Sequence, residues 1–109
     1  MKELIENIKE FLESGEDNLK KKRFNASATD FFKAIVVICD YLIYSNIKIL
    51  PKNHSERFLL LSKHFKEIYS KVSELFPIYT KSYNFKIKKE DMLNIREYAY
   101  KLKSLIDKK

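Results

Sequence analysis

Apolar residues along this chain recur at steps of three and four, in runs separated by short polar or proline-bearing links. In the first run, Leu4, Ile5, Ile8, Phe11, Leu12, Gly15 and Leu19 fall on one stripe of a helix expected over residues 2–22. Gly15, inside that stripe, marks either a close helix crossing or a break near Ser14. The next helix is expected to start at Asn25, a residue type that caps helix N-termini, and to reach Tyr44 or Ile47. Its first half, NASATDFFKA, is small on one side; its second, IVVICDYLIY, is apolar nearly all round. Such a helix belongs at the centre of a bundle or under a subunit interface. Asp40 is the odd residue there, and the pattern leaves open a partnered buried acid or a place at the helix edge.

Residues 45–54, SNIKILPKNH, make the longest connection. Asn53 with Glu56 three residues on resembles a capping box, so a third helix starts there. Phe58, Leu61, Phe65, Ile68, Tyr69, Val72, Leu75 and Phe76 keep helical spacing up to Pro77, which is expected to end or kink the element. The segment PIYTKSYNFKIKK reads as a second loop region. Glu90 and Asp91 then suit the first turn of a last helix, whose stripe is Met92, Ile95, Ala99, Leu102 and Ile106.

One glycine and two prolines in 109 residues leave too few turn-formers for a sheet-rich fold, while 45% apolar residues suffice for one modest core. The expectation is a single all-α domain over residues 1–109, an up-and-down four-helix bundle. MKELIENIKEFL is too acidic for a signal peptide, and AIVVICDYLIY is too short to span a bilayer, which favours a cytoplasmic protein with no membrane contact. Cys39 is the only cysteine and lies in the most apolar stretch, so it reads as an inert packing residue; neither a metal nor a cofactor is expected.

Charge then refines the picture. The net charge is +7, and 19 of the 22 basic residues are lysine. Two segments concentrate it: residues 19–33 carry five basic groups against Asp30, and residues 77–89 carry Lys81, Lys86, Lys88 and Lys89 with no acid. Lys20, Lys21, Lys22 and Arg23 suit a helix C-terminus, where cations oppose the dipole, and could equally hold a phosphate backbone. YTKSYNFKIKK mixes three aromatics with four lysines, the combination that stacks bases and neutralises phosphates. An up-and-down bundle would put both segments at one end, which makes Lys20–Arg23 with Lys81, Lys86, Lys88 and Lys89 the candidate nucleic-acid or phosphate site.

The order of pieces resembles the HEPN superfamily of small prokaryotic helical domains. It runs from a long first helix with a basic tail (KKRF), through NASATDFFKAIVVICDYLI and a histidine-bearing loop (PKNHSERF), to YTKSYNFKIKKEDMLNIREYAYKL. The resemblance implies a bundle of four to five helices, a homodimer, and often a small nucleotidyltransferase partner in a toxin–antitoxin pair. Catalytic members are metal-independent ribonucleases with an Arg, four to six residues, then a His, near the start of the last conserved helix. The corresponding window here, Tyr79–Lys89, holds neither, which points to a degenerate member.

Arg57 and His64, in RFLLLSKH, satisfy that spacing inside the third helix instead. A step of seven positions sets them about 10 Å apart along one helix face, so a ribonuclease built on them needs a leaning arginine or a dimer mate. The plainer expectation places both on a wet face with Lys63, Lys66 and Glu67, and makes His54 a capping or loop residue. The favoured function is therefore a dimerising HEPN-like binding module, catalytically degenerate, for a protein partner, nucleotide or nucleic acid; the alternatives are the Arg57–His64 ribonuclease and a structural adaptor.

Overall fold

A computed structural model of the protein describes residues 1–107. Over these residues the chain is all-α, with five helices: α1 (Lys2–Lys20), α2 (Phe24–Ile47), α3 (His54–His64), α4 (Lys66–Lys81) and α5 (Lys89–Asp107). No strand occurs among the described residues. The organising element is α2, which packs against each of the other four. Phe31, Phe32, Ala34, Ile35, Ile38, Cys39, Leu42 and Ile43 are buried along its length, on several sides of the helix at once. The other helices each contribute one stripe: Ile8 and Leu12 from α1, Leu61 from α3, Val72 and Leu75 from α4, and Met92, Ile95, Ala99 and Leu102 from α5. That division follows from sequence, because an amphipathic helix has a single face to bury and α2 has nearly none to expose.

Where α1 crosses α2, Gly15 and Ser27 meet: the Ser27 hydroxyl donates to the Gly15 carbonyl at 2.9 Å. A Cβ on Gly15 would come within 2.8 Å of the buried Phe31 ring. Of the two readings of this glycine, close crossing is therefore the correct one, and α1 runs through it unbroken. The helix stops at Lys20, two residues before the expected end, because Lys22 takes a left-handed conformation (φ 59°). Its amide bonds back to Leu19 and that of Arg23 to Asn18, both at 2.9 Å, closing a Schellman-type stop on a lysine where glycine is usual.

The expected third helix is two. Phe65 alone (φ −142°, ψ 65°) leaves helical geometry, and the chain folds back so that α3 and α4 pack on each other. Rings interlock across the hairpin: Phe58 lies 6.3 Å from Tyr69 and 5.4 Å from Phe76, and His54 lies 5.4 Å from Phe76. No proline or glycine marks this reversal; helical spacing is kept on both sides of it, so periodicity reads straight through. Of the two outcomes expected at Pro77, an end to the helix does not occur: the proline sits inside α4. Phe32 stacks on Tyr79 at 4.4 Å and Phe76 packs at 5.9 Å from Phe32, so the turns on either side of the proline are held against α2. Tertiary packing outweighs the loss of one backbone hydrogen bond here.

The glycine contact yields a prediction. Alanine at Gly15 would gain about 1 kcal/mol of helix propensity, but overpacking against a ring with no room to move costs about 1–3 kcal/mol. Gly15→Ala is therefore expected to lower the urea midpoint of unfolding, and pairing it with Phe31→Leu to restore it.

Candidate functional site

The two basic links meet at one pole of the molecule. The residue that joins them is Asn25, in the first turn of α2. Its Nδ2 donates to the carbonyls of Ser82 and Phe85, both at 2.8 Å, and its Oδ1 accepts from the Ile87 amide at 2.9 Å. Asn25 is thus not the cap expected of it. The helix begins one residue earlier, at Phe24, with Arg23 in the cap position and no side-chain cap bond. The amide instead holds residues 82–87 against the end of the α1–α2 link. Lys89 reinforces the seam, its ammonium 6.0 Å from the Phe24 ring centre.

A cleft of about 450 Å³ runs along this seam, lined by Lys22, Arg23, Phe24, Asn25, Ala26, Lys86 and Ile87. Lys20, Lys21, Lys22, Arg23, Lys81, Lys86, Lys88 and Lys89, on or beside the two links, are all exposed, and Lys22, Arg23 and Lys86 line the cleft itself. Among the described residues, none of the eight lies within ion-pairing distance of a carboxylate. Tyr83 and Phe85 project from the same link with 66% and 69% of their surface in solvent. Of the three aromatics in this segment Tyr79 alone is buried; its hydroxyl hydrogen-bonds that of Tyr83 at 2.7 Å. Burial, then Tyr83, pushes the Tyr79 phenol up to about 12.

Arg57 does not lie on a wet face. It is buried against α2, where its Nε and Nη2 grip Oδ1 and Oδ2 of Asp40 at 2.6 and 3.0 Å. This settles the open question about Asp40: it is a partnered buried acid. The remaining guanidinium nitrogen, Nη1, contacts Nδ1 of His54 at 3.0 Å. A guanidinium can only donate, so Nδ1 must accept, and the imidazole is neutral with its proton on Nε2. Partial burial and then the Arg57 charge hold His54 below its ordinary value, with Asp40 opposing. His54, itself at an exposed position, therefore completes a network around the buried Asp40–Arg57 pair that sequence reading did not find. A lone acid in an apolar helix asks for a partner, but nothing in the spacing says which arginine supplies it. His64, by contrast, is exposed at the last residue of α3. Arg57 leans toward the helix N-terminus, as helical side chains do, and so away from His64. The chain does not bring that pair together.

A second ion pair ties α5 to α1: Arg96 Nε and Tyr100 Oη donate to Glu16 at 2.8 and 2.7 Å. Burial alone would raise the Glu16 carboxyl, but these hydrogen bonds hold it below its usual value. Burial also pushes the Cys39 thiol up to about 12, which leaves it un-ionised at neutral pH. Among the described residues, no three of His, Cys, Asp and Glu gather as metal ligands would, and no helix is long and apolar enough to cross a membrane. No family model, curated protein or solved structure matches the chain.

Two outcomes follow from the network around Asp40. Arg57→Met strands the Asp40 charge and is expected to destabilise the fold by about 3–5 kcal/mol at neutral pH, with Asp40→Asn on top recovering part of the loss; chemical denaturation of both variants checks this. His54 binds its proton less readily folded than unfolded, so stability is present above the unfolded value of 6.5 and is lost as pH falls through the lower folded value. Melting curves between pH 7.5 and 5 should fall more steeply for the native protein than for His54→Asn, whose side-chain oxygen can still accept from Arg57.

Proposed function

We propose that the chain is a HEPN-like helical binding module, catalytically degenerate, that holds nucleic acid at its basic pole. The observation that carries this reading is the Asn25 tether, which joins two basic links from distant parts of the sequence around one cleft. Eight exposed cations lie there with no carboxylate within ion-pairing distance among the described residues. They are nearly all lysines, which attract a phosphate backbone as point charges and do not select bases. Tyr83 and Phe85 add stacking surfaces that suit unpaired bases better than a duplex.

Degeneracy is supported by the engagement of Arg57, which turns to Asp40 and His54 and away from His64, the histidine a ribonuclease would pair with it. Dimerisation, and a small nucleotidyltransferase as partner in a toxin–antitoxin pair, belong to this proposal through the family resemblance alone.

The test is binding of a fluorescent single-stranded 12-mer RNA followed by anisotropy across salt concentrations. The native protein should bind with a steep salt dependence. Replacing Lys21, Lys22, Lys86 and Lys88 by Gln should flatten the log–log slope by up to about 3, since each single-strand phosphate contact contributes about 0.7. Unchanged binding in that variant would remove the basic pole as the contact surface.

A further inference from the structure

A second cleft, of about 340 Å³, shares no residue with the one at the basic pole and lies between α1, the middle of α2, the start of α3 and the end of α4. Its walls are aromatic and aliphatic: Phe11 from α1, Phe32 and Val36 from α2, and Tyr79 from α4. Its polar lining is Lys33, Asn53, His54 and Arg57. Each of these can offer a proton. Asn53 Oδ1 already accepts from the Glu56 amide at 2.9 Å, which leaves the amide N–H pair. His54 Nδ1 already accepts from Arg57, which leaves Nε2–H. Lys33 and Arg57 are donors only. Asp40 is the nearby acid, and both its oxygens are spent on Arg57, so the two charges cancel and Lys33 supplies one uncompensated positive charge.

Pockets that bind small molecules combine a mostly apolar lining with a few converging polar groups, and span about 300–1,000 Å³. This cleft is mostly apolar and falls at the small end of that range, and each of the four polar residues in its lining can donate. We propose that it binds a small organic monoanion. A flat aromatic body of one or two rings lies against the half-buried Phe11 and Val36, over the stacked and buried Phe32–Tyr79 pair, and a carboxylate-type head is held by Lys33, His54 Nε2–H and the Asn53 amide. The neutral tautomer that Arg57 imposes on His54 is what turns the imidazole into a donor for this head. The site is independent of the nucleic-acid proposal, because neither its walls nor its donors belong to the basic pole.

The matched pair 2-naphthoate and 2-naphthamide tests it, the two sharing one shape and differing in charge. Calorimetry and amide chemical shifts are read on the full chain. Naphthoate should bind about tenfold or more tightly than the amide, the factor expected of a charge-assisted hydrogen bond, and should shift Asn53–Arg57 and Tyr79. Lys33→Met keeps the alkyl stem that lies by the Phe11 ring (the ammonium sits 5.8 Å from its centre) and is at an exposed position, so the fold should survive, with a melting curve as the control. This variant should lose most of the preference for naphthoate over the amide, while Lys86→Gln and Lys88→Gln leave it unchanged. The proposal is overturned if naphthoate fails to bind, if both compounds bind alike, if shifts cluster in residues 81–89, or if Lys33→Met keeps the preference.

Discussion

The constraint from which the rest of this structure follows is the central helix. α2 is 24 residues long and apolar around most of its circumference, so water is excluded from it only if other elements surround it. Four amphipathic helices do so, and each needs no more than one stripe. The small residues at its start decide how closely the first neighbour approaches: Gly15 and Ser27 allow α1 to touch, and Phe31 fills the space that a larger residue at position 15 would need. The hairpin of α3 and α4 covers another side, with an aromatic ladder of Phe32, Phe58, Phe76 and Tyr79 in place of aliphatic packing.

Burying such a helix raises the cost of the one charge it carries. Asp40 cannot remain unpaired in that setting, and Arg57 meets it with two hydrogen bonds in a fork that a lysine could not reproduce. The pairing has chemical consequences beyond stability. It withdraws Arg57 from solvent, sets the tautomer of His54, and separates Arg57 from His64 in function although the two share a helix. An arginine and a histidine at a suggestive spacing are thus assigned to different tasks, one structural and the other on the surface.

At the opposite extreme of polarity, the basic pole gathers charge at a cost in mutual repulsion. Lysines on two links are brought near one another by three hydrogen bonds from a single amide. Nothing on the protein neutralises them within ion-pairing distance among the described residues, although acids elsewhere in the chain, such as Glu16, are drawn into pairs of their own. A surface arranged this way favours an external anion, and a polyanion most of all, because counterion release grows with the number of phosphates contacted.

The all-α class, the stripes on α1 and α5, the burial of α2 and the start of α3 at Asn53 were all determined by the sequence alone, because they depend on local periodicity and on caps whose partners lie a few residues away. The shared pole was expected as well, but from a count of four helices. With α3 and α4 separate, the two links follow the first and fourth helices, and it is the Asn25 amide that holds them together. Tertiary structure decided the rest. The reversal at Phe65 carries no breaker residue, Pro77 is overruled by stacking on Phe32, and Asn25 ties down a link about sixty positions away instead of capping its own helix. The alliance of Asp40, Arg57 and His54 joins α2 to the start of α3 across 17 residues. Such contacts are chosen by which surfaces meet once the helices pack, and a one-dimensional pattern does not contain that choice.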